Sequence, residues 1–241
     1  MKCIILAAGY ATRLYPLTEN FPKPLLDVGG RSIADRLVDD IALCPEVDEF
    51  VVVTNHKFAE HFSRWASSRS EKITVVDDGT STNETRLGAV CDIKFAVDSL
   101  GLGDEDLLVV AGDNVLSFSL LELISFARAH DSSCVMCYNE PSEERLHKCG
   151  VLELASDGRV VAMEEKPAQP KSHWCCPPFY YYKASDAALI GEAIASGCGV
   201  DAPGSLVAYV CSVSPVYALE MPGPRYDVGS LESYREICDM F

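Results

Sequence analysis

Up to Ala111 the chain alternates short apolar, β-branched runs with stretches of helical spacing, and this alternation restricts its fold more than any other feature. Lys2–Leu6, Phe50–Thr54, Lys72–Val76 and Leu107–Ala111 read as buried strands. Between them, Ile33, Leu37 and Ile41 mark one helical face at i, i+4 and i+8. Phe58, Phe62 and Trp65 mark a second face, and 87–97 reads as a third helix. Strand–helix–strand order implies right-handed crossovers. The expected fold is α/β: a three-layer, doubly wound, Rossmann-like arrangement around a mixed, mostly parallel sheet. Ligands of such sheets sit beyond the carboxyl ends of the strands, and both Ala7 and the Gly112-Asp113 corner fall there.

The second half changes character. Val151–Ala155 and Arg159–Glu164 flank Asp157-Gly158, a two-residue hairpin signal. An aromatic strand is expected at Phe179–Lys183, a helix at 186–195, and a short last helix around Leu231–Met240. At 241 residues the chain suits one large domain, so a single domain over 1–241 is expected.

Chemistry concentrates just after the first strand, where Leu6-Ala7-Ala8-Gly9-Tyr10-Ala11-Thr12-Arg13 leads on to Pro22-Lys23-Pro24. The small residues let the backbone approach a ligand and aim N–H groups at phosphate oxygens. Thr12 adds a hydroxyl and Arg13 a bidentate cation, while two prolines stiffen the backbone that carries Lys23. Neither G-x-x-x-x-G-K-[ST] nor G-x-G-x-x-G occurs here, which argues against a kinase-type or dinucleotide site. An Ala-Ala-Gly turn is by itself ordinary tight packing; the whole run is what carries information.

That run, L-A-A-G-x-x-T-R-L-x-P-x-T-x-x-x-P-K-P, resembles the signature of the sugar-phosphate nucleotidyltransferase family. The one departure is Ala11, where glycine is usual. The resemblance implies a nucleotidyltransferase fold in which Leu6, Ala7, Ala8, Gly9, Thr12, Arg13, Lys23, Arg86 and Gly88 contact a nucleoside triphosphate, with Arg13 and Lys23 as the catalytic cations. Taken singly, Asp113 and Asp227 read as turn residues. The family pairs a G-D after a strand with a D-x-G-[TS] near the end, so the resemblance makes Asp113 and Asp227 the ligands of Mg2+. It likewise implies that Gly150, Glu165 and Lys166 meet the phosphorylated acceptor, whereas Glu165-Lys166-Pro167 alone reads as a solvated charge pair before a turn. Relatives with a C-terminal β-helix carry a second domain, and none is expected here.

A phosphate nucleophile is already ionised at neutral pH, so the implied transfer needs positioning and charge neutralisation rather than a general base. His56 and His61, five apart, do not share a helical face and suggest no metal site. Cys134-Val135-Met136-Cys137 reads as a strand rather than a zinc half-site. The 11 cysteines read as reduced thiols, and the adjacent Cys175 and Cys176 have no explanation at this level. No run of eighteen apolar residues and no leader is visible, so a cytoplasmic protein is expected. A net charge of -16 disfavours nucleic acid and anionic membrane as partners and leaves self-association into a homo-oligomer open. The base is left open, since Arg86-Leu87-Gly88-Ala89 departs from the usual glycine-leucine-alanine. So is the acceptor: a cytidylyltransferase for phosphocholine or a phosphonate is one alternative, and a non-catalytic regulatory subunit another. A glycosyltransferase would want a D-x-D triad that Asp113-Asn114-Val115 does not supply.

Overall fold

The computed structural model describes residues 1–241 and divides them into two compact units. The first contains Met1–Leu87, Val110–Leu121 and Pro222–Phe241; the second contains Gly88–Val109 and Glu122–Met221.

In the first unit the strand Lys2–Leu6 pairs in parallel with Glu49–Thr54, which pairs in parallel with Ile73–Asp77. All six residues of Glu49–Thr54 are buried, as expected of a parallel strand covered on both faces. The one charge in it, Glu49, is satisfied by Lys72 at 2.8 Å and the Thr74 hydroxyl at 2.6 Å. The helix Ile33–Ile41 starts where Ser32 and Asp35 cap each other, and it buries Ile33, Ala34, Leu37, Val38 and Ile41 along one stripe. The last helix, Leu231–Met240, begins at a Ser230–Ser233 capping pair.

In the second unit, Val160–Glu165 and Gly150–Leu154 form the expected hairpin, turning through Gly158 at φ +82°. Trp174–Cys176 continues the antiparallel array to Ser133–Asn139, which pairs with Phe179–Tyr182 on one side and in parallel with Val216–Glu220. Cys134 and Cys137 lie buried in that strand, and burial pushes both thiols up to about 12. All the cysteines are free thiols.

Two expected helices differ in detail. The one drawn over 186–195 is two short pieces, Ala184–Ala187 and Ile190–Ala195. Buried Asp186 is anchored by the Ser133 hydroxyl at 2.5 Å, and Leu189 N–H bonds three residues back to Asp186 rather than four, which tightens the turn and breaks the run. The helix drawn from Leu87 begins at Ala89, because Gly88 takes φ +93°. The class is α/β with a mixed sheet, as the alternation predicts.

Candidate active site

The glycine loop is held from below by groups far along the chain. Ala7 N–H donates to Val53 O at 2.8 Å, and the Asn55 amide, fully buried, donates to Ala8 O at 2.9 Å. Gly9 is exposed, with nothing within 4 Å of where a Cβ would stand, so this flank is open to a ligand. Ala11 adopts φ 47°, ψ 42°, the left-handed region that explains why glycine is usual there. An L-residue gives up about 1–2 kcal/mol in that conformation. The bend is held by the buried Thr18 hydroxyl, which donates to Ala11 O at 2.8 Å, and by Leu14 N–H at 2.9 Å. A single 3-10 turn, Thr12–Leu14, then leaves Arg13 exposed.

Lys23 opens a second 3-10 turn, Lys23–Leu25, after the extended Pro22. Only 8% of the residue is exposed, and its Nζ lies 2.8 Å from Asp113 Oδ2 and 3.7 Å from Asp227 Oδ1. Gly112 precedes this aspartate for a steric reason: a Cβ there would stand 3.0 Å from Pro24 Cγ and 3.2 Å from Leu6 O. Asp113 sits in the turn between Leu107–Ala111 and Asn114–Leu116, and the latter pairs antiparallel with Arg225–Asp227. Asp227 stands opposite Asn114, and Val228 N–H donates to Asp113 O at 3.1 Å, so backbone pairing brings the two carboxylates together. The serine after Asp227-Val228-Gly229 is the N-cap of the last helix. Partial burial and the like charge of Asp113 push the Asp227 carboxyl above its ordinary range, while Lys23, Arg225 and Arg13 pull it back.

The donor chemistry fits the divalent ion that the fold family implies. The two carboxylates already attract one cation, the Lys23 ammonium, and each keeps a third or more of its side chain exposed. Magnesium is held by one or two carboxylates plus water and substrate phosphate, so a pair suffices. No cluster of three or more His, Cys, Asp or Glu side chains offers an alternative centre.

In the second unit, Gly150 pairs with Glu165 in the hairpin register. A Cβ on Gly150 would stand 2.5 Å from Met163 Cε, and one on Gly204 would stand 2.1 Å from both Met163 Cε and Glu165 Oε1. The two glycines therefore make the space in which the Glu165 carboxylate lies, at the start of the helix Gly204–Val213. Burial pushes Glu165 up; the Lys166 charge and the Gly204 N–H hold it down. Lys166 is exposed, takes φ 48°, and donates its N–H to Cys149 O at 2.9 Å. A non-glycine residue in this region costs of order 1–3 kcal/mol and is characteristic of functional sites.

The first unit thus gathers Leu6, Ala7, Ala8, Gly9, Thr12, Arg13, Lys23, Asp113 and Asp227, together with Arg86, whose guanidinium donates to Asn83 O at 3.0 Å. The second holds Gly88, Gly150, Glu165 and Lys166. Gly88 has a packing reason of its own, since a Cβ would stand 2.6 Å from Val200 O. Sequence reading gave no bonding role to Asn55, Thr18, Asn114 or Arg225: Asn55 and Thr18 brace the loop, Asn114 bonds Asp113, and Arg225 bonds Asn114.

Comparison with known proteins identifies the family. The family model described as nucleotidyl transferase matches residues 2–240. The chain is 29% identical over 185 residues to a glucose-1-phosphate thymidylyltransferase of Neisseria meningitidis, covering 76% of this chain and 61% of that protein. It is 26% identical over 252 residues to a glucose-1-phosphate adenylyltransferase of Thermosipho africanus, covering 97% of this chain and 60% of the relative. It therefore spans about three fifths of the length of these two curated relatives. In fold it matches a crystal structure of UDP-glucose pyrophosphorylase complexed with UDP-glucose, at a TM-score of 0.80 and 20% identity, over 99% of this chain and 97% of the other. With the family model spanning nearly every residue, the chain belongs to the nucleotidyl transferase family.

Proposed function

We propose that residues 1–241 act as one catalytic domain that joins a nucleoside triphosphate to a sugar 1-phosphate, releasing pyrophosphate. The observation that carries this reading is the Lys23 ammonium held between Asp113 and Asp227. In the transfer an acceptor phosphate oxygen forms a bond to the α-phosphorus, the bond from that phosphorus to the α–β bridging oxygen breaks, and pyrophosphate leaves with the electron pair. Arg13 neutralises the leaving pyrophosphate and Lys23 the reacting phosphates. The Ala7–Gly9 backbone seats the triphosphate, with Leu6, Thr12, Arg86 and Gly88 as further nucleotide contacts. On the acceptor side Glu165 accepts from hydroxyls, Lys166 meets the phosphate, and the Gly150 backbone lies against the acceptor. Asp113 and Asp227 would hold Mg2+, which supplies charge neutralisation on the phosphate oxygens when bound. The names of both curated relatives, a thymidylyltransferase and an adenylyltransferase for glucose 1-phosphate, support a sugar 1-phosphate acceptor while leaving the base open.

The test is a matrix of five nucleoside triphosphates against several sugar 1-phosphates and choline phosphate, with magnesium, read as pyrophosphate release. At least one sugar 1-phosphate is expected to turn over. Turnover of choline phosphate alone would replace the acceptor assignment, and release from no pair at all would overturn the reading.

A further inference from the structure

Asp113 has a second neighbour besides Lys23, and that neighbour is itself held. Asn114, only 1% exposed, donates its amide Nδ2 to Asp113 Oδ1 at 2.7 Å, while its Oδ1 accepts from Arg225 Nη1 at 2.6 Å. A carboxylate can only accept and a guanidinium can only donate, so an amide between them has one orientation that satisfies both. Arg225 and Asp227 are two apart on one strand, hence on the same face, with Asp227 opposite Asn114 in the ladder. One three-residue strand therefore supplies the second carboxylate and also the group that fixes the first. The arrangement ties down Asp113 Oδ1 and leaves Oδ2, which accepts from Lys23 at 2.8 Å, as the oxygen a metal would share.

We propose that Arg225 and Asn114 are positioning residues that make Asp113 a one-oxygen ligand and so select a small octahedral cation over calcium. Magnesium and manganese sites suit single carboxylate oxygens in strict octahedral geometry, whereas Ca2+ takes carboxylates two-oxygen fashion in larger, looser shells. With one lone pair of Oδ1 engaged by the amide, two-oxygen capture by Asp113 is disfavoured. The inference rests on Asp113 and Asp227 being the metal ligands.

Two explanations of Arg225 predict opposite signs. If it acts only through its charge, removing a cation beside two carboxylates strengthens metal binding. If it acts by steering Asn114, removing it frees the amide to turn its oxygen toward Asp113 and weakens metal binding. The experiment uses the free, full-length protein and the bound fraction of Mn2+, read by electron paramagnetic resonance, alone and in competition with Ca2+. Arg225→Met is expected to weaken Mn2+ binding by about 10-fold or more, the usual effect of losing a group that orients a ligand. It should also lower the Mn2+ over Ca2+ preference. Asn114→Ala is expected to do the same, and the double variant to lose no more than either alone, because both act through one amide. Arg225→Met carries the test if the buried Asn114 variant fails to fold. Tighter or unchanged Mn2+ binding in Arg225→Met, or an unaltered Mn2+ over Ca2+ ratio, overturns the proposal. Asp113→Asn serves as the separate control on the ligand assignment: if it binds Mn2+ as well as the natural chain does, the metal pair is wrong and the relay falls with it.

Discussion

Ala11 is the residue at which chain and family signature part, and its conformation gives the departure a measurable cost. A left-handed alanine gives up about 1–2 kcal/mol, while glycine at the same place loses roughly 0.4–1 kcal/mol through a more disordered unfolded chain. Ala11→Gly is therefore expected to be neutral to about 1.6 kcal/mol more stable, as read from a urea midpoint at unchanged slope. A loss of more than 1 kcal/mol would mean that the alanine methyl, which packs on the cluster of Leu14, Leu26 and Val115, contributes more than its backbone costs. Residue-level reading was strongest where one residue type answers one constraint. Gly112 is favoured by the close approach of Pro24 Cγ and Leu6 O. It failed at Asn55 and Asn114, because an asparagine bonding across 47 or 111 positions looks like any polar residue until the fold is known.

At the scale of elements, long strands and capped helices were legible and three-residue strands were not. Leu231–Met240 falls where it is expected, and Leu107–Ala111 keeps its expected bounds. Asn114–Leu116 and Arg225–Asp227 exist only through pairing with each other, and three residues carry no periodicity. The helix Gly204–Val213 was hidden for a different reason: Gly204-Ser205 opens it, and its apolar residues Leu206, Val207, Ala208, Val210 and Val213 do not confine themselves to one stripe. Its start is where Glu165 is lodged, which gives a pH signature. The Glu165 carboxyl is raised in the folded state, so the folded chain retains the proton longer than the unfolded one. Below the usual glutamate range both states are protonated and the group is neutral to stability. As pH rises from there through the raised value, the natural chain loses stability that Glu165→Gln keeps. The variant should match it in urea midpoint near pH 4 and exceed it at about pH 7.5. An offset identical at both pH values would refute the burial account of Glu165.

For the molecule as a whole, charge and chain order matter more than any single contact. A net charge of -16 works against compactness when counter-ions are scarce. Screening at 0.15 M salt shortens the range of that repulsion from about 30 Å at 0.01 M to about 8 Å. Thermal midpoints at pH 7 are expected to rise by a few degrees over that interval, and a fall would show that ion pairs such as Lys23–Asp113 outweigh the overall repulsion. No helix is long and apolar enough to cross a membrane. The first unit is assembled from three separated stretches, and Pro222–Phe241 brings Arg225 and Asp227 to it last. Protein synthesis runs in one direction at about 5–20 residues per second, so Arg225 is made roughly 6–20 seconds after its partner Asn114. The second carboxylate and the arginine that bonds Asn114 arrive together on one strand. A growing chain therefore gains both at once, in a single three-residue addition.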